Sequence, residues 1–317
     1  MKALRFSKFG PPSVLAIQEV PRPQPRAGEA LVQVKAAAIN PSDVKNVAGY
    51  FPATTLPRTP GRDFSGIVVA GTKYQGQEVW SSGPGFGITR DGAQSEYVTV
   101  PEEALALKPD PLSLEQAAAI GVPFITAWAA LVRAAELQAG ETILIIGAAG
   151  AVGQAATQIA TSRKARVLGA ARSSNPIPGA AAVINTTTED LRDRVFELTN
   201  GNGADAILDT VGGAMFQSAL RCLRIGGRQV AIASTGIRRV SFDLIDFYHN
   251  LSRLIGVDSI KFAPRDIAAI ADELRPGFEA NVLKAPPLQI VPFENASEAY
   301  ERVATRQAKA KQVFTFS

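Results

Sequence analysis

Residues 142–160 read TILIIGAAGAVGQAATQIA, and the fold turns on this stretch. TILII is an apolar, β-branched run with the length and composition of a strand buried on both faces. It breaks off at GAAGAVG. From Val152 the apolar positions fall at Ala155, Ala156 and Ile159, which is helical spacing. Strand, glycine turn and helix start in that order build a site for a phosphate. Glycines let the backbone approach the anion, and the free N–H groups and dipole of the helix face it. In the pattern x-x-G-x-x-G, Ala148 holds the first glycine position and Gly150 and Gly153 the other two, with Ala151 and Val152 between them. The competing reading is an ordinary tight strand-to-helix turn, from which a glycine fingerprint alone does not separate it.

Beyond this stretch strands and helices alternate. TILIIG, ARVLGAA, AAVIN, ADAILDTVG, GGRQVAIAS and RLIGVDSI read as strands, and VGQAATQIATS, EDLRDRVFELT, AMFQSALRCL and FDLIDFYHNL as helices between them. The fold class that follows is α/β, with a doubly wound parallel sheet. One crossover departs from the pattern: SSNPIPGA, residues 173–180, is too short and proline-rich for a covering helix and predicts a loop.

Residues 1–110 predict an all-β module, from the short runs ALVQVKAAAIN, DFSGIVVAG, GQEVWSS and AQSEYVTVP between Pro/Gly turns. Ser113 and Gln116 form a capping-box pattern ahead of an alanine-rich helix, and ITAWAALVRAAEL reads as a second helix. The tail from Pro264 is helix plus strand and packs on the first module, making that domain discontinuous.

The chain has 317 residues, 46% hydrophobic and 20% charged, the composition of a soluble globular protein of two domains. Its net charge of +4 comes without a Lys/Arg block, so nucleic acid is not indicated as a partner. MKALRFSKFGPP lacks the apolar core and cleavage site of a signal peptide, and residues 117–132 are too short an apolar run for a membrane span. One cysteine, Cys222, and one histidine, His249, exclude a disulfide framework and a zinc site built mainly from Cys and His, and fit a cytoplasmic protein. His249 lies in a helical segment and reads as structural.

Several motifs in a fixed order carry a resemblance across the whole chain. They are INPSDVK (39–45), PGRDFSG (60–66), DGAQSEYVTVP (91–101, with Ser95 where alanine is usual), ITAW (125–128), GAAGAVG (147–153) and LDTVGG (208–213). Together they resemble the zinc-free quinone oxidoreductase branch, the zeta-crystallin-like enzymes, of the medium-chain dehydrogenase/reductase superfamily. The resemblance implies a GroES-like substrate domain over residues 1–122 and 263–317 and a Rossmann domain over 123–262, with the active site in the cleft between them. It also implies an NADPH-dependent reductase that is commonly a homodimer.

The second strand ends in Ala171, where NAD-binding folds usually place an acid on the adenine ribose. Arg172, Ser173 and Ser174 follow, and Arg172 is suited to a 2′-phosphate, which favours NADPH over the alternative of an exposed loop arginine. By resemblance Thr126 faces the nicotinamide, and Lys311 matches a C-terminal lysine that reaches the cofactor. Their alternatives are a threonine satisfied by its own helix and a solvated surface charge. Ser234, Thr235 and Gly236 follow the fifth strand at the carboxyl edge of the sheet, where ligands bind in such folds. Asn185 is followed by Thr186, where the family often has a tyrosine at the cofactor.

Without a metal to polarise a carbonyl, the substrate must already be activated, as quinones and enones are, and a donor must face the oxygen that gains charge. Asn40 and Lys45 are the candidate donors, with Asn40 preceding a short helix that starts at Pro41. Asn40 as a helix cap, with Asp43 in the first turn, is the structural alternative. Tyr50 is a further wall or proton donor, or else a packing aromatic. The reaction expected is hydride transfer from NADPH to a quinone or other conjugated carbonyl, with an enone or alkenal double-bond reductase as the alternative. A reading from another class is an NADPH-binding protein whose main task is binding RNA; the scattered positive charge argues against it.

Overall fold

The computed structural model describes residues 1–83 and 85–317, which fall into two compact units, Met1–Ile125 with Ile260–Ser317 and Thr126–Ser259. The second unit is built on six parallel strands, here numbered within that sheet: β1 (Thr142–Ile146), β2 (Arg166–Ala171), β3 (Ala182–Asn185), β4 (Ala204–Asp209), β5 (Leu223–Ala231) and β6 (Arg253–Gly256). Their spatial order is 3-2-1-4-5-6, the order of the dinucleotide-binding Rossmann sheet. Strand β1 lies at the centre because it is apolar on both faces. Ile143, Leu144, Ile145 and Ile146 are each at most 1% exposed, and each such burial stabilises by about 1.5–3 kcal/mol. The helices Ala151–Ser162 and Leu191–Leu198 lie between strands as the periodicity predicts. The segment after β4 forms only a short helix, Phe216–Leu220, because β5 begins at Leu223 and takes the end of the predicted run. The predicted loop between β2 and β3 is a loop, and its Ile177 side chain lies against Gly169 of β2.

The first unit is the β-rich one. Strand Glu29–Ala38 is its hub, pairing antiparallel with Asp63–Ala70, with Tyr97–Pro101 and with the C-terminal strand Lys311–Thr315. The tail therefore completes the N-terminal sheet, and this unit is discontinuous in sequence. Val32, Val34, Phe64, Val68, Val79, Phe86 and Val98 fill one core cluster, where Phe64 stacks on Phe86 with ring centres 5.8 Å apart.

The stretch around Pro123 differs from its sequence reading. Instead of two helices there is one, Leu114–Trp128, which passes through Pro123 and continues as a wider π-helical turn over Ala129–Ala134. A proline removes one backbone donor and normally breaks a helix. Here the helix continues through it, and just before the proline the N–H of Val122 donates to both carboxylate oxygens of Asp63, at 3.0 and 2.9 Å. The capping box at its start is as predicted: Ser113 N–H donates to Gln116 and Gln116 N–H to Ser113 Oγ. At 21 residues, Leu114–Ala134 is long and apolar enough to cross a membrane, which corrects the shorter reading. With 72% of that window buried inside the protein, it has the surroundings of a core helix.

At the amino ends of the parallel strands, Arg228 of β5 donates to Ala135 O at 2.7 Å and makes a two-pronged pair with Glu141 at 2.8 and 2.6 Å. Arg228 is 5% exposed, so its charge depends on this partner. Truncating one member of such a buried pair strands the other charge, so Arg228→Met is expected to lower stability by about 3–5 kcal/mol. Urea unfolding checks this, and a loss under about 1 kcal/mol would place the pair with weak surface bridges.

Candidate functional site

In the second unit, parallel pairing sends the loops after β1, β2 and β5 to one edge of the sheet. Six predicted cofactor residues, Arg172, Ser173, Ser174, Ser234, Thr235 and Gly236, are exposed there, together with Gly150 and Ala151. Gly147, with φ +78°, makes the left-handed turn that ends β1. Gly150 is the residue before helix Ala151–Ser162, whose first turn has no side-chain cap. Its leading N–H groups are left for an outside acceptor. Val152 is partly buried and Gly153 fully so. A Cβ on Gly153 would be driven into the carbonyl oxygen of Gly147, so this helix can sit so close to the turn only with glycine there. These groups fit the phosphates of a nicotinamide dinucleotide.

The neighbouring loop after β4 supports that edge. Asp209, fully buried, accepts the N–H groups of Val211 and Gly212 at 3.0 and 2.7 Å, and burial raises its carboxyl above the ordinary range. Thr235 N–H donates to Val211 O at 2.8 Å, and Ser234 Oγ is spent on Ile237 O at 2.6 Å. Gly212 and Gly213 both have positive φ, and a Cβ on either would strike the 233–235 backbone. Arg172 has no ion pair among the described residues. Asn185 Nδ2 reaches Ser174 Oγ at 3.5 Å, a long contact. Thr126 is 6% exposed, and its hydroxyl donates to Ser259 Oγ at 3.0 Å, a partner outside its own helix.

The first unit carries the predicted donors. Helix Pro41–Val47 buries Asp43, Asn46 and Val47, at helical spacing, and turns Lys45 outward. Lys45 is exposed, and Tyr50, 74% exposed, follows after the chain closes with Tyr50 N–H on Lys45 O at 3.0 Å. The structure brings these two to the surface and leaves Asn40 beneath it, 1% exposed. Asn40 N–H donates to Asp43 Oδ2 at 2.7 Å, so Asp43 in the first turn holds the helix start, whereas the Asn40 side chain, suggested by the sequence as the cap, makes no cap hydrogen bond. The amide Nδ2 of Asn40 donates to Asp63 Oδ2 at 2.8 Å, and its Oδ1 accepts from Lys311 Nζ. Lys311 is neither a solvated charge nor open to solvent: its side chain is 7% exposed and lies 3.8 Å from Asp63. Burial pushes the Asp43 carboxyl up to about 7, helped by the Asp63 charge and opposed by its bond to Asn40 N–H. Burial likewise lowers Lys311, against the pull of Asp63 and Asp43.

Reading the sequence alone missed Asp63 as the hub of this cluster. One signal was present: Gly121, inside a helix and two residues before Pro123, is where a Cβ would collide with Asp63 Oδ1. The partnership of Lys311 with Asn40 left no local signal.

The donor set does not fit zinc. No group of three His, Cys, Asp or Glu side chains forms among the described residues. Cys222 is buried, its thiol pushed up to about 12 by burial and donating to Ser218 O at 3.2 Å, so it supplies no thiolate. Asp43 and Asp63 share their surroundings with the cations of Lys311 and Arg62.

Comparison with known proteins gives concordant matches. Residues 26–110 match the alcohol dehydrogenase GroES-like domain and residues 151–274 the zinc-binding dehydrogenase family. A zinc-type alcohol dehydrogenase-like protein of Schizosaccharomyces pombe is 36% identical over 100% of this chain and 98% of its own length. The quinone oxidoreductase of Homo sapiens is 30% identical over 96% of this chain and 94% of its own. A mycobacterial protein solved in complex with NADPH superposes with a TM-score of 0.88 at 26% identity, covering 100% of both chains.

Asp43 generates a pH dependence. Its folded value of about 7 stands above the ordinary 3.8, so the folded state holds the proton more tightly than the unfolded chain. That contribution to stability is full below the unfolded value and is lost as pH rises toward 7. An Asp43→Asn variant keeps an acceptor for Asn40 N–H without the titration. Relative to wild type it is expected to gain about 1–3 kcal/mol between pH 5 and pH 8, read from urea midpoints; parallel curves for the two proteins would contradict the assignment.

Proposed function

Given that this chain belongs to the quinone oxidoreductase branch of the medium-chain dehydrogenase/reductase superfamily, and so is an oxidoreductase with a nicotinamide cofactor, we propose that it reduces quinones or other activated conjugated carbonyls with NADPH, without zinc. The observation that carries this reading is the composition of the first unit's candidate site, which offers an exposed ammonium and hydroxyl, Lys45 and Tyr50, and, among the described residues, no zinc ligand set.

The choice of NADPH is supported by the end of β2. Ala171 brings no carboxylate to repel a 2′-phosphate, and exposed Arg172 is free to pair with one. The turn at 147–153 would hold the pyrophosphate through backbone N–H groups. Once bound, NADPH supplies a hydride, two electrons and one hydrogen. The acceptor carbon takes that hydride, and the electron pair displaced from the conjugated system passes to its oxygen. Lys45 would stabilise the oxyanion by charge and hydrogen bonding, Tyr50 would wall the acceptor, and solvent or one of these two donors would return the proton. Asn40, already held by Asp43, Asp63 and Lys311, would fix the start of the segment that carries both.

A second copy of the chain is the proposed partner. Strand β6 is the last of the sheet and pairs with β5 on one side; Leu254 on it, and Leu244, Ile245, Tyr248 and Leu251 in the segment that leads into it, are exposed. Such an apolar surface around a sheet edge is what an interface would cover. Light scattering should return twice the chain mass, and a monomer at micromolar concentration would refute the pairing.

NADPH oxidation against a matched panel of quinones, enones and alkenals tests the reaction. At least one acceptor should be reduced, with kcat/KM falling roughly 10²–10³-fold in Lys45→Ala if the charge acts on the oxyanion. Arg172→Ala should weaken NADPH and leave NADH unchanged. No turnover with any acceptor would end the reductase reading, and equal effects on both cofactors would end the role of Arg172.

A further inference from the structure

Lys311 is the first residue of the C-terminal strand, and the pairing of Val313 with Ala38 carries it past the end of strand Glu29–Ala38 to Asn40. The neighbouring backbone is tied as well, with Ile39 N–H on Gln312 O at 3.0 Å. There the ammonium meets two groups with opposite needs. An ammonium has only hydrogens to give and an ionised carboxylate only lone pairs, whereas an amide has one of each kind of end. With Lys311 on one side and Asp63 on the other, Asn40 has a single orientation that satisfies both: Oδ1 toward Lys311 and Nδ2 toward Asp63. The reversed amide would set N–H against ammonium and oxygen against carboxylate.

The same contacts say what Lys311 is not available to do. Its side chain is 7% exposed, bonded to Asn40 and 3.8 Å from the wholly buried Asp63. Leaving this place would abandon two buried polar groups at once. Asp63 also holds Val122 N–H, so the cluster joins the C-terminal strand, the start of helix Pro41–Val47 and the middle of helix Leu114–Trp128.

We infer that Lys311 is a positioning residue for the acceptor-binding segment: it orients Asn40 and thereby fixes the start of the helix that presents Lys45 and Tyr50, and it does not bind the cofactor. This inference rests on the proposed reductase reading for its kinetic consequence.

The test has two arms. In the wild-type protein, amine-reactive labelling followed by peptide mass spectrometry should leave Lys311 unmodified to the same extent with and without NADPH. Labelling that is ready without NADPH and suppressed with it would overturn the inference in favour of a cofactor contact, whether or not any acceptor is reduced. In the second arm, Lys311→Met should lower kcat/KM for the acceptor at least tenfold while NADPH affinity, read by cofactor fluorescence, stays within twofold. Lys311→Arg, which keeps the cation, should recover most of the loss. Because Lys311→Met strands the Asp63 charge, the double variant Lys311→Met/Asp63→Asn removes both charges together. Folded by circular dichroism, it should keep the NADPH affinity and the acceptor defect. Normal acceptor kinetics in either folded Met variant, or a tenfold loss of NADPH affinity with acceptor kinetics unchanged, would overturn the inference. Absence of turnover in the wild type would instead count against the reductase reading, and the labelling arm would still decide where Lys311 belongs.

Discussion

A wholly buried carboxylate, that of Asp63, is the constraint on which the first unit's candidate site depends. Taking a carboxylate out of water costs several kcal/mol unless cations and donors replace the lost solvation. Asp63 obtains that replacement from Lys311, the amide of Asn40 and the N–H of Val122. Each partner comes from a different part of the chain, so satisfying one charge brings three segments into register. Gly121 and Pro123 belong to the same arrangement. The glycine leaves room for a carboxylate oxygen, and the proline follows the backbone N–H that donates to that carboxylate.

The edge of the Rossmann sheet follows a different logic, with backbone packed on backbone. Gly153 lies against the carbonyl of Gly147, and Gly212 and Gly213 against the 233–235 segment. Ala148, which stands in a glycine position of the fingerprint, is no defect in this setting. The left-handed turn is made one residue earlier by Gly147, and Ala148 is fully buried. On β2 the opposing residue is Gly169, where a side chain would crowd the Ala148 methyl at 3.1 Å. The loss of a glycine in the turn is matched by a glycine in the neighbouring strand.

Features whose partners lie within a few residues were legible in the sequence. The helix starting at Pro41, the capping box of Ser113 and Gln116 and the helixless crossover at 173–180 all depend on short-range geometry and composition. The ladder of the parallel sheet was legible too, because strands buried on both faces must be apolar throughout. Features set by long-range contact were not. A helix through Pro123 looks like two helices until Asp63 is placed, and the surroundings of Lys311 resemble an exposed tail until its strand is paired. The candidate donors divide the same way. Lys45, read as a donor, and Tyr50, read as a wall, proton donor or packing aromatic, lie exposed, whereas Asn40, read as a donor beside Lys45, is buried by contacts with residues far along the chain.

The sequence by itself determined the α/β class, the glycine turn after β1, the lack of enough Cys and His for a Cys/His metal set and the missing acid at Ala171, since each is a matter of residue type or of spacing within one element. The tertiary structure alone decided which polar groups are spent on one another and which stay free. Asn40, Lys311 and Thr126 are engaged inside the protein, while Lys45, Tyr50 and Arg172 remain exposed. The reason is physical. A side chain's chemistry is carried by its residue type, but burial and hydrogen-bond partners come from chain segments that meet only when the sheets close.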